Sequence, residues 1–169
     1  MQFLLIILMS IGAAVGYGIL HDLVTAHFCV EYFTIGHPPI FSTQSPILLA
    51  LGWGIIATWW VGLPLGILLG MAARASRRPR LSAWELRRPI FRLLCVMGVS
   101  ALIAGIVGVI LAQIGAIELV PKLAKQMDAQ TQVRFLGDLW AHNASYLSGF
   151  FGGLILCIRV WRQRKERSA

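Results

Sequence analysis

The chain has 169 residues, of which 57% are hydrophobic and only 13% are charged, and its mean hydropathy is positive. A typical soluble domain is about 25% charged, so this composition excludes an ordinary soluble protein. The formal net charge of +8 at pH 7 is typical of nucleic-acid-binding proteins as well as of some membrane proteins. The location of the basic residues has to decide between these two classes.

Four stretches are apolar and long enough to cross the hydrocarbon core of a bilayer, which is about 30 Å thick and takes about 20 helical residues. They are residues 1–20, 46–71, 89–112 and 135–160. Because little sequence lies outside them, we predict a single membrane domain over residues 1–169. The predicted fold class is an all-α integral membrane protein, a four-transmembrane-helix bundle packed through small residues such as Gly62, Gly66 and Gly70.

The basic residues are concentrated in the second connection and in the C-terminal tail. Seven of the fifteen lie in or beside the loop at residues 73–88, five lie in the tail from Arg159 onward, and the first connection has none. The positive-inside rule then places that loop and both termini in the cytoplasm (N-in/C-in) and residues 21–45 in the periplasm. Topology and attraction to anionic lipid headgroups explain the arginines, so we expect the lipid bilayer, and no nucleic acid, as a partner.

Polar groups are concentrated at residues 21–39, between the first two apolar stretches. This segment contains Asp22, Glu31 and three of the four histidines. The remaining histidine, His142, lies near the periplasmic end of the fourth span, one helical turn from Asp138 on the same helix face. Ionisable groups inside a span are costly and typically face the bundle interior, so this pair needs a partner.

The first helix is predicted to continue beyond the membrane, because no glycine or proline interrupts residues 19–35. On such a helix His27 and Glu31 form a second histidine–carboxylate pair one turn apart. The two pairs predict a divalent metal site with four ligands, His27, Glu31, Asp138 and His142. Zinc suits this ligand set best, and Mn²⁺, Fe²⁺ and Cu²⁺ are alternatives. The residues predicted to hydrogen-bond the ligands and orient them are His21, Asp22, His37 and Gln113.

Other roles for these residues stay open at this point. Asp138 and His142 also fit a proton relay, or a hydrogen-bonded pair that fixes helix register. Four protein ligands indicate a structural metal site, whereas three ligands and a water permit a metal-dependent membrane hydrolase. Two further functions compete with the metal site: a small accessory subunit of a larger membrane complex, or a homo-oligomer of that kind, and a proton- or ion-coupled transport component.

The run YGILHDLVTAHFCVEYFTIGHPP, followed by SPILLALGWGIIATWWVGLPLG, resembles small uncharacterised bacterial four-helix inner-membrane proteins. The resemblance covers roughly residues 1–70, almost to the end of the second span. It implies a protein of the bacterial inner membrane. It implies no activity and carries over no catalytic residue.

The predicted topology can be tested with single cysteines in a background without the native ones. A cysteine at Ser42 should react with a membrane-impermeant thiol reagent in intact spheroplasts, because the first connection faces outward. A cysteine at Ser82 should react only after the cells are opened, because the basic loop faces inward. The opposite labelling pattern would overturn the N-in/C-in orientation.

Overall fold

The computed structural model describes residues 1–166, which contain helices and connecting loops and no strand. The helices are α1 (Gln2–Phe28), α2 (Val30–Thr34), α3 (Pro46–Ile56), α4 (Trp59–Arg74), α5 (Ala83–Gln113), α6 (Pro121–Ala124) and α7 (Ala129–Glu166). Four helical stretches are long and apolar enough to cross a membrane: α1, α3 together with α4, α5, and α7. The all-helical fold and the number of apolar helices are confirmed, whereas membrane insertion and orientation stay predictions.

The first helix ends at Phe28, beyond the predicted end of the span at residue 20 but before the predicted end of the helix at residue 35. α1 runs to Phe28, Cys29 takes an extended backbone conformation with φ −149° and ψ 93°, and α2 follows. The predicted continuous helix over residues 19–35 is therefore wrong. No glycine or proline marks the break. Packing accounts for it, since Cys29, Tyr32 and Phe33 are all buried in one apolar cluster.

The second apolar stretch is interrupted between α3 and α4, at Ala57 and Thr58. Pro64 lies inside α4 and does not coincide with this interruption. The Thr58 hydroxyl donates a hydrogen bond to the carbonyl of Gly54, one turn earlier. At the same level α1 comes very close to α3, because a Cβ atom on Gly54 would lie 2.6 Å from the backbone nitrogen of Ile19. A larger residue than glycine does not fit between these two helices.

The four long helical stretches form a bundle in which α1 and α7 are diagonal to each other. α1 packs against α3, α4 and α5, whereas α7 packs against α5 and α4; α1 and α7 approach each other over only a short stretch. The predicted glycine stripe of α4 lies against α1. A Cβ atom on Gly62 would lie 2.8 Å from Cα of Ile11, and one on Gly66 would lie 3.1 Å from Cα of Ile7. The stripe lets the two backbones pack by direct contact.

The two ends of the bundle differ in character. At one end the first connection (residues 29–45) and the third connection (residues 114–128) fold together over the helix ends, and we call this layer the cap. The buried residues of its cluster are Ala26, Cys29, Tyr32, Phe33, Leu49, Trp53, Leu119, Phe135 and Leu136. We call the other end, formed by the basic loop and the C-terminal part of α7, the arginine end.

Arg164 organises the arginine end. Its side chain is fully buried. The guanidinium donates to backbone carbonyls of the loop and of α4: Nη1 to Ala72 at 2.6 Å, Nη2 to Ala75 at 2.7 Å and to Arg78 at 3.1 Å, and Nε to Pro79 at 2.7 Å. The last carbonyls of a helix have no partner within that helix, so Arg164 satisfies part of the C-terminal end of α4. It thereby fixes the basic loop to α7.

Replacing Arg164 should destabilise the protein. Arg164→Ala leaves several carbonyls without a donor, and we expect a loss of about 3 kcal/mol in the free energy of unfolding. Arg164→Lys should lower the free energy of unfolding less, because one ammonium group can replace some of the guanidinium hydrogen bonds. The measurement is the thermal unfolding midpoint in detergent, with exposed Arg159→Ala as the control. An unchanged midpoint for Arg164→Ala would contradict the role given to this residue.

Candidate metal centre

His21, Asp22 and His142 meet inside the bundle, where α1 and α7 approach each other across its diagonal. One ligand atom from each residue lies within 4.8 Å of the other two. Asp22 and His142 are buried, with 5% and 4% of their surface exposed, and His21 is half-buried. Within residues 1–166 this is the one group of three or more histidine, cysteine, aspartate or glutamate side chains with metal-ligand spacing.

The hydrogen bonds of His142 determine which ring nitrogen carries the proton. Nδ1 lies 2.9 Å from the carbonyl oxygen of Asp138, which only accepts hydrogen bonds, so Nδ1 must donate. Nε2 lies 3.3 Å from Oδ1 of Asp22. In the neutral ring Nε2 presents a lone pair to the carboxylate, and two acceptors repel unless a proton or a metal cation lies between them. Nδ1–H on a backbone carbonyl with Nε2 free is also the arrangement of a metal-binding histidine.

His21 completes the group from the adjacent position on α1. Its ring is stacked on Tyr17 with centroids 5.8 Å apart and meets the edge of the His142 ring at 4.5 Å. Nε2 of His21 is buried and has no hydrogen-bond partner among the described residues. A buried nitrogen without a partner costs about 1–3 kcal/mol. A cation held between His21, Asp22 and His142 would supply that partner.

The His27–Glu31 pair predicted from the sequence lies outside this group. His27 is exposed, and its Nδ1 donates to the carbonyl of Leu23 on its own helix at 2.6 Å. Glu31 lies on α2 and accepts a hydrogen bond from the Cys29 thiol at 3.5 Å. The break at Cys29 separates the two residues onto different helices, so they do not form the predicted face one turn apart.

Only one member of the predicted Asp138–His142 pair belongs to the group. His142 belongs to the group, whereas Asp138 is 2% exposed and lies outside it, with Oδ2 lacking a hydrogen-bond partner in the described structure. Of the residues expected to orient the ligands, His21 and Asp22 instead offer ligand atoms. His37 lies in the cap, and Gln113 is exposed at the end of α5.

His21 and Asp22 carry a sequence signal for this position. Two adjacent ionisable side chains in an apolar helix are costly unless they face the bundle interior. The predicted first span ended at residue 20, which placed both residues in a connection where polar groups are ordinary. Because α1 runs to Phe28, the reasoning applied to Asp138 and His142 also applies to Asp22.

Aromatic rings of the cap cover His142. Tyr32 is stacked on the imidazole with centroids 4.4 Å apart, and Phe33 meets it edge-on at 5.8 Å. His37 forms the next layer, 5.0 Å from Tyr32 and 4.6 Å from Trp53, and its Nδ1 donates to the carbonyl of Tyr32 at 2.8 Å. The cap thus separates His142 from solvent at this end of the bundle.

Burial holds three titratable groups of the cap, Cys29, Tyr32 and His37, in their uncharged forms. Burial raises the pKa of the Cys29 thiol to about 12 and also raises the pKa of the Tyr32 phenol. Burial lowers the pKa of the His37 imidazole. In each case removal from water disfavours the charged form. At neutral pH Cys29 is therefore a thiol and not a thiolate ligand, and these three groups add no charge to the cap.

Comparison with protein-family models, with curated proteins and with solved structures finds no match to this chain.

The stacking of Tyr32 on His142 can be tested by two substitutions. Tyr32→Ala should lower the free energy of unfolding by about 3 kcal/mol, because it opens a cavity between the cap and α7. Tyr32→Phe keeps the ring and should cost less than about 1 kcal/mol. Thermal unfolding in detergent measures both, and equal losses in the two variants would contradict a role for the ring.

Proposed function

We propose that this chain is an integral membrane protein that binds one divalent transition-metal ion, zinc first among them, through His21, Asp22 and His142. The observation that carries the proposal is the buried Nε2 of His21, which has no hydrogen-bond partner among the described residues. Beside it, Nε2 of His142 faces Asp22, while Nδ1 of His142 donates its proton to the carbonyl of Asp138. Two imidazoles and one carboxylate form a common zinc ligand set. The three side chains lie close enough to share one ion.

The proposed location is the bacterial inner membrane, with the cap facing the periplasm and the arginine end facing the cytoplasm. Four apolar helical stretches of sufficient length support membrane insertion. The concentration of arginines at the end opposite the cap supports the orientation through the positive-inside rule. In this orientation the metal group lies in the periplasmic half of the bundle.

Three protein ligands leave a coordination position for a further ligand, as in catalytic zinc sites. A metal bound there would act as a Lewis acid on that ligand. The protein's own contribution is positional. The carbonyl of Asp138 sets the tautomer of His142, Tyr32 holds the plane of its ring, and the stacking of Tyr17 orients His21.

Elemental analysis of protein purified without a polyhistidine tag tests the proposal. We expect a stoichiometric divalent metal in the wild type and its loss in His142→Ala. His21→Ala and Asp22→Asn should each weaken binding at least about tenfold, since each removes one ligand. Competition with a chromogenic chelator measures the affinity.

His27→Ala is the matched control, because it removes an imidazole from the same helix at an exposed position. Its metal content should equal that of the wild type. Loss of metal in His27→Ala but not in His21→Ala would favour the ligand set predicted from the sequence. A wild-type protein that stays metal-free after exposure to Zn²⁺ would reduce the group to a hydrogen-bonded contact between α1 and α7.

A further inference from the structure

A surface pocket of about 400 Å³ lies at the arginine end, between the first turns of α5 and the C-terminal part of α7. Its lining includes Arg87, Arg88 and Gln163, whose side chains are exposed, so we call it the basic pocket. The buried residues of the lining are apolar: Leu81 and Leu86 are 3% and 1% exposed. Ligand pockets are typically about 300–1,000 Å³ in volume, so the basic pocket has room for a phosphate and the glycerol that carries it.

The basic pocket carries an excess of positive charge. Arg87 and Arg88 are the cations of its lining, and Glu85 is the one anion. Oε2 of Glu85 accepts hydrogen bonds from the backbone nitrogen and the hydroxyl of Ser82, both at 2.9 Å, because this carboxylate belongs to the capping box of α5. Within residues 1–166 neither arginine forms an ion pair with a carboxylate. The pocket therefore favours an anionic ligand.

Trp84 holds one of the two guanidinium groups in place. The guanidinium carbon of Arg87 lies 3.2 Å from the centre of the Trp84 ring, in a cation–π contact. Stacking on the face of a ring leaves the N–H groups in the guanidinium plane able to donate. A planar guanidinium binds phosphate through two parallel hydrogen bonds. Trp84 thus orients Arg87 for a phosphate oxygen, which a freely rotating arginine would first have to become.

The surroundings of the basic pocket favour a lipid phosphate over a phosphate in solution. Phe91 lies one turn after Arg87 on α5, and its side chain is 67% exposed. Trp84 is 69% exposed, and tryptophan is typical of the boundary between membrane and water. In the proposed bilayer the pocket lies at the level of the cytoplasmic headgroups, and the apolar surface of α5 continues from it into the hydrocarbon. A ligand with both a phosphate and acyl chains contacts both surfaces.

We propose that the basic pocket binds one anionic phospholipid, with the phosphate held by Arg87 and Arg88 and the acyl chains along α5. The general attraction predicted from the sequence would be shared by all arginines of this end, whereas the pocket assigns the lipid to two of them. The inference rests on the proposed membrane location and not on the metal ion, because the metal group lies in the half of the bundle next to the cap.

Native mass spectrometry of the full chain in detergent tests this with three probes: phosphatidylglycerol, phosphatidylcholine and glycerol 3-phosphate. We expect one phosphatidylglycerol per chain. Phosphatidylcholine, whose net charge is zero, should bind at least about tenfold more weakly, and glycerol 3-phosphate, which has no acyl chain, at least about a hundredfold more weakly. Equal binding of the two lipids would overturn the recognition of charge. Equal binding of glycerol 3-phosphate and phosphatidylglycerol would make this a site for a soluble phosphate and overturn the lipid site.

Matched variants separate the pocket from a diffuse attraction and from the proposed metal site. Arg87→Gln/Arg88→Gln should lower the affinity for phosphatidylglycerol at least about tenfold and leave the metal content unchanged. Trp84→Leu removes no charge, yet it should lower the affinity about threefold, because Arg87 loses its stacking partner. The control Arg77→Gln/Arg162→Gln removes two exposed arginines of the same end that do not line the pocket, and it should leave the affinity unchanged.

Equal losses in the two double variants would overturn the pocket, because the attraction would then be spread over the whole arginine end. A chain recovered in the soluble fraction without detergent would instead overturn the membrane location itself.

Discussion

The meeting of three polar side chains across the diagonal of an apolar bundle is the constraint on which the structure depends. Diagonal helices lie too far apart to pack closely along their length, and α1 and α7 touch over only a short stretch. Polar side chains carry that contact, through the His142–Asp22 pair and through a hydrogen bond from Ser145 to Tyr17. Since each residue turns a helix by about 100°, a shift of one position would turn these groups away from the bundle interior. The polar contacts therefore set the register of α1 against α7, which helix packing alone does not fix.

The surroundings of the group differ above and below it. On the cap side, aromatic rings lie directly on His142 and leave no room beside it. On the side toward the arginine end, small residues such as Ala14 and Gly149 line small cavities. The group is therefore closely packed on one side and loosely packed on the other.

Hydropathy predicts the helices of this protein well, because chain length and apolar composition decide whether a segment is long enough for a membrane. It also finds His142 and Asp138, since an ionisable side chain in an apolar stretch is visible in the sequence. The break at Cys29 is not visible in this way. It depends on Tyr32 and Phe33 being buried against residues from α3, α7 and the third connection, which are distant in the chain. That break is why the sequence favours His27 and Glu31, where the structure brings His21 and Asp22 to the site.

Arg164 has a consequence for the order in which the protein is assembled. Its hydrogen bonds join residues 85 to 92 positions apart in the chain, between the end of α7 and the loop after α4. During synthesis the first two apolar stretches leave the ribosome long before Arg164 does. Until α7 is in place, the loop that follows them lacks the guanidinium donors of Arg164. The hydrogen bonds of Arg164 can therefore form only after the helices that precede α7 have been synthesised.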